Sequence, residues 1–233
     1  GEAAAGHYDS PELQCVRPLL EIQQRWSALP TPDTLLAEAL HTREGWHLFL
    51  YPFAGRSVHL GLASLLGWRL SRHRPNTFSI SVNDYGFELL AAEQVDMATV
   101  LDGSAFDPGP GLLADVLASL NSSELARRRF REIARVAGLV FTGYPGAPKS
   151  TRQLQASAGL FYDVFRQHDP ANRLLHQADA EVLAQELDIT HLEATLRRLG
   201  TLRIDWVELR APSPFSLPLM VERLREQFST EKL

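Results

Sequence analysis

The sequence predicts an α+β protein: a small antiparallel, hairpin-rich β subdomain packed with a mostly helical subdomain. Two pairs of short runs alternate apolar and polar residues around turn signals, "TLLAEALHTREGWHLFLYPF" and "TFSISVNDYGFELLAA", the pattern of half-buried hairpin strands. The second half instead repeats apolar residues at helical spacing. Between them lies an acidic stretch rich in Gly and Pro, "LDGSAFDPGPG", the best boundary between two subdomains. The expected organisation is a leader or remnant over 1–10, a hairpin and helix subdomain over 11–104, and a mainly helical subdomain with a late strand over 105–233.

Taken in order, "PELQCVRPLLEIQQRWSALP" has Leu19, Ile22 and Trp26 at helical spacing and ends before Pro30, so it reads as a helix with Trp26 in the core. The first hairpin turns at Thr42–Gly45. "AGRSVHLGLASLLGWRLSRHRP" then predicts a helix whose face is Val58, Leu62, Leu65, Leu66 and Leu70, stopped by Pro75. Trp68 also falls on an apolar face. The second hairpin turns at Asn83–Gly86, where Asp84 serves the turn by local backbone hydrogen bonding. "GLLADVLASL" is a short helix. "SSELARRRFREIARVAGLVF" is a Ser-capped helix with Leu125, Ile133 and Val136 inward. Three further helical segments follow, opening at Lys149, Ala171 and Ile189. "LRIDWVEL" reads as a strand placing Trp206 with Ile204, and "SPFSLPLMVERLREQF" as a final amphipathic helix.

With 233 residues, 45% hydrophobic and 22% charged, the chain can bury a real core. No apolar run approaches the ~18 residues of a membrane span, so no membrane partner is expected. A single cysteine, Cys15, permits no internal disulfide, in keeping with a reducing cytoplasm. Its apolar neighbours suggest packing rather than chemistry. The net charge of −5 argues against a generally basic nucleic-acid binder. The distribution says more: residues 54–74 carry four Arg and no acid, residues 85–121 six acids and no base, and residues 122–166 seven Arg plus Lys149 against three acids. Basic blocks in an acidic chain can form a local phosphate-binding face; solvated helix faces are the plainer account.

The stretch "FTGYPGAPKST" invites a P-loop reading, but Pro148 stands where the motif requires its second glycine. Proline lacks the N–H that the loop would aim at phosphate, so this is not read as an ATP loop. Lys149, Ser150 and Arg152 nevertheless open a helix, where free N–H groups favour an anion. Arg128 and Arg131 lie with Arg127 and Arg135 on the polar face of the preceding helix. Trp46, near a hairpin tip with basic neighbours, suits stacking on a nucleic-acid base or cross-strand packing. No tight His ligand pair suggests a metal, no nucleophile elbow appears, and no catalytic residue is expected.

Five strings, "LQCVRPLLEIQQRWSALPTPDTLL", "HLFLYPFAGRSVHLGLASLLGWRLSR", "TFSISVNDYGFELL", "LASLNSSELARRRFREIARVAGLVFTGYPGAPKSTRQLQASAGLFYDVF" and "PSPFSLPLMVERLREQFSTEKL", together resemble the region after the winged helix in Lhr-type (large helicase-related) superfamily 2 DNA helicases. They look most like the bacterial ligase-associated branch, over about Leu13 to Leu233. The resemblance implies an ATP-dependent 3′-to-5′ DNA translocase serving repair, with two RecA-like domains and a winged helix as partners in the same polypeptide. ATP and Mg2+ would then be cofactors of those motor domains and not of this chain. It implies an accessory domain that contacts single-stranded DNA or a tailed duplex, through Trp46, Arg56, Arg128, Arg131, Lys149 and Arg152. A base-processing module of glycosylase type, or a docking platform without DNA contact, are the alternatives.

Overall fold

The computed structural model describes residues 10–94, 104–121, 124–140, 143–144, 147–148, 151–182 and 188–231. Helix α1 (Pro11–Trp26) is capped by Ser10, whose hydroxyl accepts from the Leu13 amide. Strands β1 (Thr34–Thr42) and β2 (Gly45–Leu50) form the first hairpin. Helix α2 (Arg56–His73) returns along the sheet, and β3 (Phe78–Val82) and β4 (Phe87–Ala91) form the second hairpin. The helical layer comprises α3 (Leu112–Asn121), α4 (Glu124–Val136), α5 (Thr151–His168), α6 (Arg173–Glu181) and α7 (Ile189–Leu199). Between α4 and α5, β5 (Gly143–Tyr144) and β6 (Ala147–Pro148) make a two-residue antiparallel ladder. Strand β7 (Arg203–Leu209) and helix α8 (Ser216–Glu231) follow.

The α+β expectation holds, with one addition. The late strand β7 crosses back to pair in parallel with β1, giving a five-stranded mixed sheet of order β3-β4-β2-β1-β7. One face of this sheet is apolar. Leu35, Ala37, Leu48, Leu50, Phe87 and Leu89 pack on the α2 face of Val58, Leu62, Leu65, Leu66 and Leu70, in a core continuous with the helical layer. Burial of each large side chain there contributes about 1.5–3 kcal/mol. In the helical layer Arg166 clasps Asp179 at 2.8 and 3.1 Å.

The opposite face is mixed. Leu36, Leu40, Phe49 and Tyr51 pack with Leu219 of α8, but Glu38 lies buried among them. Its carboxylate accepts from Gln23 Nε2 (2.8 Å), Tyr51 Oη (2.6 Å) and Ser213 Oγ (2.8 Å). Burial, and then the Glu38 charge, raise the Tyr51 phenol well above its ordinary pKa. Gln23 also accepts from the Phe215 amide, so one buried amide ties α1 to the sheet and to the entry of α8.

That anchor corrects the reading of α1. Gln23 is the buried residue of this helix, whereas Val16, Leu19, Ile22 and Trp26 form an outward stripe, Trp26 being 56% exposed. Cys15 is likewise exposed rather than packed. In α4 the inward face is Ala126, Phe130 and Ala134, with Ile133 partly buried, while Val136 is 84% exposed as the helix ends toward Gly138 at φ +72°. Leu125 is among the side chains not described. Trp68 is half-buried with the Arg72 guanidinium 4.9 Å from its ring centre. Trp206 packs partly against the main core as expected.

Candidate nucleic-acid interface

The two ends of the sheet are built differently. At the hairpin end, Trp46 pairs with His41 across β1–β2 and with Ala91 of β4. Its half-buried ring stacks on the His41 imidazole with centroids 4.2 Å apart. With Trp206, Ala39, Leu48 and Glu208 it lines a cavity of about 410 Å³. An ionic group, buried at Arg223 and Glu88 and open to solvent at Glu44, secures this end. Arg223 of α8 reaches Glu44 in the turn at 2.5 Å and Glu88 of β4 at 3.3 Å. His47 lies between Glu88 (Nδ1 to Oε1, 2.6 Å) and Thr42 (Nε2 to Oγ1, 2.7 Å).

At the other end, the loop 51–55 lies against the turn 83–86. Phe53 sits at φ +53°, a region that costs a non-glycine residue roughly 1–2 kcal/mol. Four hydrogen bonds fix it there. The Pro52 carbonyl accepts from Arg198 (2.6 Å), the Phe53 amide donates to the Tyr85 carbonyl (3.1 Å), and the Ala54 amide donates to His59 Nε2 (3.0 Å). His59 Nδ1 then donates to the Asn83 carbonyl at 2.6 Å. Since Nε2 accepts, the imidazole is neutral. Burial lowers its pKa, and Arg198 acts in the same direction, against the Asn83 hydrogen bond and Asp84. The Asn83 side chain closes the facing turn by accepting from the Tyr85 and Gly86 amides, each at 2.9 Å. The turn expected at Asn83–Gly86 is therefore present, and Gly86 is required in it, because a Cβ there would meet the Leu50 carbonyl oxygen at 2.3 Å.

The outcome is an exposed aromatic ledge. Phe53 is 49% and Tyr85 65% exposed, their rings packed edge-on at 6.1 Å, with Phe215 6.5 Å from Phe53. Beside it opens a cavity of about 620 Å³, lined by Phe53, Phe215, Leu202, Thr195 and Arg198 among others. Among the described residues no carboxylate lines it.

The site residues expected from sequence do not all converge. Trp46 is the second residue of β2, and Arg56 follows the loop beyond the other end of that strand; from Trp46 to Leu50 the strand runs roughly 13 Å, at about 3.3 Å per residue, before that loop begins. Arg56 instead begins α2 beside the ledge and pairs with Glu222 at 3.0 Å. Arg128 is exposed and Arg131 half-buried on α4, in the helical layer. Lys149 lies outside the described residues; Arg152 falls in the first turn of α5, and its side chain is not described. Local sequence pattern does not single out Phe53, Tyr85, His59 and Arg198, which build the ledge. The available signal was an aromatic residue held between Pro52 and Gly55, where no strand or helix period calls for one. Among the described residues no His/Cys/Asp/Glu group could hold a metal, and no helix is long and apolar enough to cross a membrane.

The fold defines the class first: an α+β domain organised around one mixed sheet, carrying loops at one end and a hairpin tip at the other. The chain belongs to the DEAD/H associated family, whose model matches residues 29–216. Among curated relatives, it is 23% identical over 215 residues to the ATP-dependent helicase Lhr-Core of Methanocaldococcus jannaschii, covering 91% of this chain and 25% of that protein. It is 24% identical over 201 residues to ATP-dependent helicase Lhr-Core protein 2 of Thermococcus barophilus, covering 85% and 23%. Among solved structures, it matches the Mycobacterium smegmatis helicase Lhr bound to ssDNA and AMP-PNP, with TM-score 0.72 and 26% identity over 89% of this chain and 27% of that one. The chain thus spans about a quarter of the length of its Lhr-type relatives.

Proposed function

We propose that this chain is the single-stranded-DNA-contacting accessory domain of an ATP-dependent 3′-to-5′ DNA helicase of the bacterial, ligase-associated Lhr branch, acting in repair in the cytoplasm. The observation that carries the reading is its likeness, over nearly the whole chain, to a helicase solved with single-stranded DNA. Two RecA-like domains and a winged helix of the same polypeptide would bind ATP and Mg2+ and drive translocation. This domain would hold the tracking strand through phosphate neutralisation by Arg128, Arg131, Lys149 and Arg152, with Trp46 and Arg56 as further contacts at the two ends of the sheet. The outward stripe of Val16, Leu19, Ile22 and Trp26 favours a second role for the same domain, docking against those motor domains.

The test is binding of a fluorescent single-stranded oligonucleotide to this chain across a salt series. Four neutralised phosphates predict an affinity loss of about fiftyfold between 50 and 200 mM salt. Trp46→Ala and Arg128→Ala should each weaken binding. Salt-independent binding, or none at 50 mM salt, overturns the reading; release of a free base from damaged duplex would point instead to a glycosylase.

A further inference from the structure

The loop end of the sheet holds a feature that folding alone does not account for. Phe53 combines an unfavourable backbone conformation, φ +53°, with a ring half open to solvent. A left-handed residue is normally Gly, Asn or Asp, and an exposed ring recovers little burial energy to offset the cost. Strain of this kind persists only where surrounding contacts over-determine it, and it collects at binding sites. Here three successive backbone groups of the bend are engaged: the Pro52 carbonyl by Arg198, the Phe53 amide by Tyr85, and the Ala54 amide by His59. His59 is itself pinned to Asn83. The two loops that carry the exposed rings are therefore locked to each other through one buried imidazole.

The chemistry beside the ring is selective. The adjoining cavity, about 620 Å³, is within the range of small-molecule sites. Its lining includes Phe53, Phe215 and Leu202, with Arg198 and His191 as its basic side chains. Carboxylates around it are already engaged, Glu38 with Tyr51, Asp188 with His191 and Glu222 with Arg56; Asp84 stands in the facing turn. Arg198 spends one N–H on Pro52 and keeps others to donate. A flat aromatic group carrying acceptors and a nearby negative charge fits this arrangement, and a nucleotide of a single strand has that chemistry.

We propose that Phe53, with Tyr85 beside it, is a stacking platform for one unstacked nucleobase of single-stranded DNA, that Arg198 donates to that base or its phosphate, and that His59 is a positioning residue holding the platform open. The proposal rests on the single-strand reading above and names a second contact at the end of the sheet opposite Trp46.

The experiment uses this chain and a single-stranded oligonucleotide bearing one 5-iodo-deoxyuridine, photocrosslinked and mapped by mass spectrometry, together with affinities of the variants. Crosslinks at Phe53 or Tyr85 are expected. Phe53→Ala should lower affinity about tenfold, from the loss of one base–aromatic stack, and Phe53→Trp should restore it. Thermal unfolding of each variant establishes that it is folded. Unchanged affinity of Phe53→Ala, or crosslinks confined to Trp46, overturns the platform while leaving the single-strand reading intact. No binding by the wild-type chain at 50 mM salt overturns both.

Discussion

The hairpin end and the loop end of the same sheet are stabilised by opposite means. At the hairpin end the backbone is ordinary and the fixing groups are charged: Arg223 bridges Glu44 and Glu88, and Glu88 in turn meets His47. At the loop end the fixing groups are a neutral imidazole, backbone amides and one guanidinium, Arg198, that meets a carbonyl and no carboxylate, and the backbone itself is strained at Phe53. Charges in a buried cluster penalise any change that leaves one of them unpaired. Hydrogen bonds around a strained residue hold a shape the chain would not choose alone. The first end is built for integrity, the second for presenting a surface.

The largest effect should come from breaking the charged end. Arg223→Ala leaves the buried Glu88 without its cation and should cost about 3–5 kcal/mol, measured by urea unfolding. A Glu88→Leu, Arg223→Met double substitution should recover much of that. If the single substitution costs under about 1 kcal/mol, the ionic account of this end is wrong.

Next comes pH. His59 is neutral in the fold with its pKa lowered, its titration felt by Asp84 and Arg198. A lowered folded value means that its stabilisation is complete above the ordinary histidine pKa of about 6.5 and is lost as pH falls through the folded value. Stability should therefore decline on acidification from about pH 6.5, by at most about 1.4 kcal/mol per pH unit for this one proton. His59→Gln should flatten the profile in that interval. Asp179 has the opposite sign: burial raises its carboxyl pKa despite Arg166, so its contribution is full at acid pH and is lost as pH rises through its folded value. Its window opens at the ordinary aspartate value of about 3.9 and extends upward from there.

A smaller effect sharpens the contrast further. Phe53→Gly removes the left-handed strain and little buried surface, so stability should change by no more than about 1 kcal/mol, in either direction, while single-strand affinity falls. A loss above about 2 kcal/mol would mean that the ring is structural. Smallest of all is Trp26→Ser. Loss of a tryptophan more exposed than buried should change the unfolding free energy by about 0.5 kcal/mol or less; a core-sized loss would show that its ring packs inside.

Local pattern made much of this molecule readable. The turn at Thr42–Gly45, the α2 face from Val58 to Leu70 and the Asn83 turn are all set by neighbours within a few residues, through period-two or period-3.6 burial and Asx chemistry. Period alone misplaced Trp26 and Val136. An apolar stripe marks a face but not what covers it, and in α1 the need of buried Glu38 for a donor turned Gln23 inward instead. Trp46 and Arg56 are near neighbours in sequence yet stand toward opposite ends of the sheet, because most of β2 runs between them.

The amino-acid order by itself determined the α+β class, the hairpins and the principal helices, because those follow from propensities and spacings carried within each segment. Only tertiary structure decided that β7 returns beside β1, that residues 135 positions apart share the Glu88–Arg223 contact, and that Phe53 is thrust outward. These depend on groups distant in sequence meeting in a low-dielectric interior, where a buried carboxylate or amide must find a partner, and no local period encodes which partner that is.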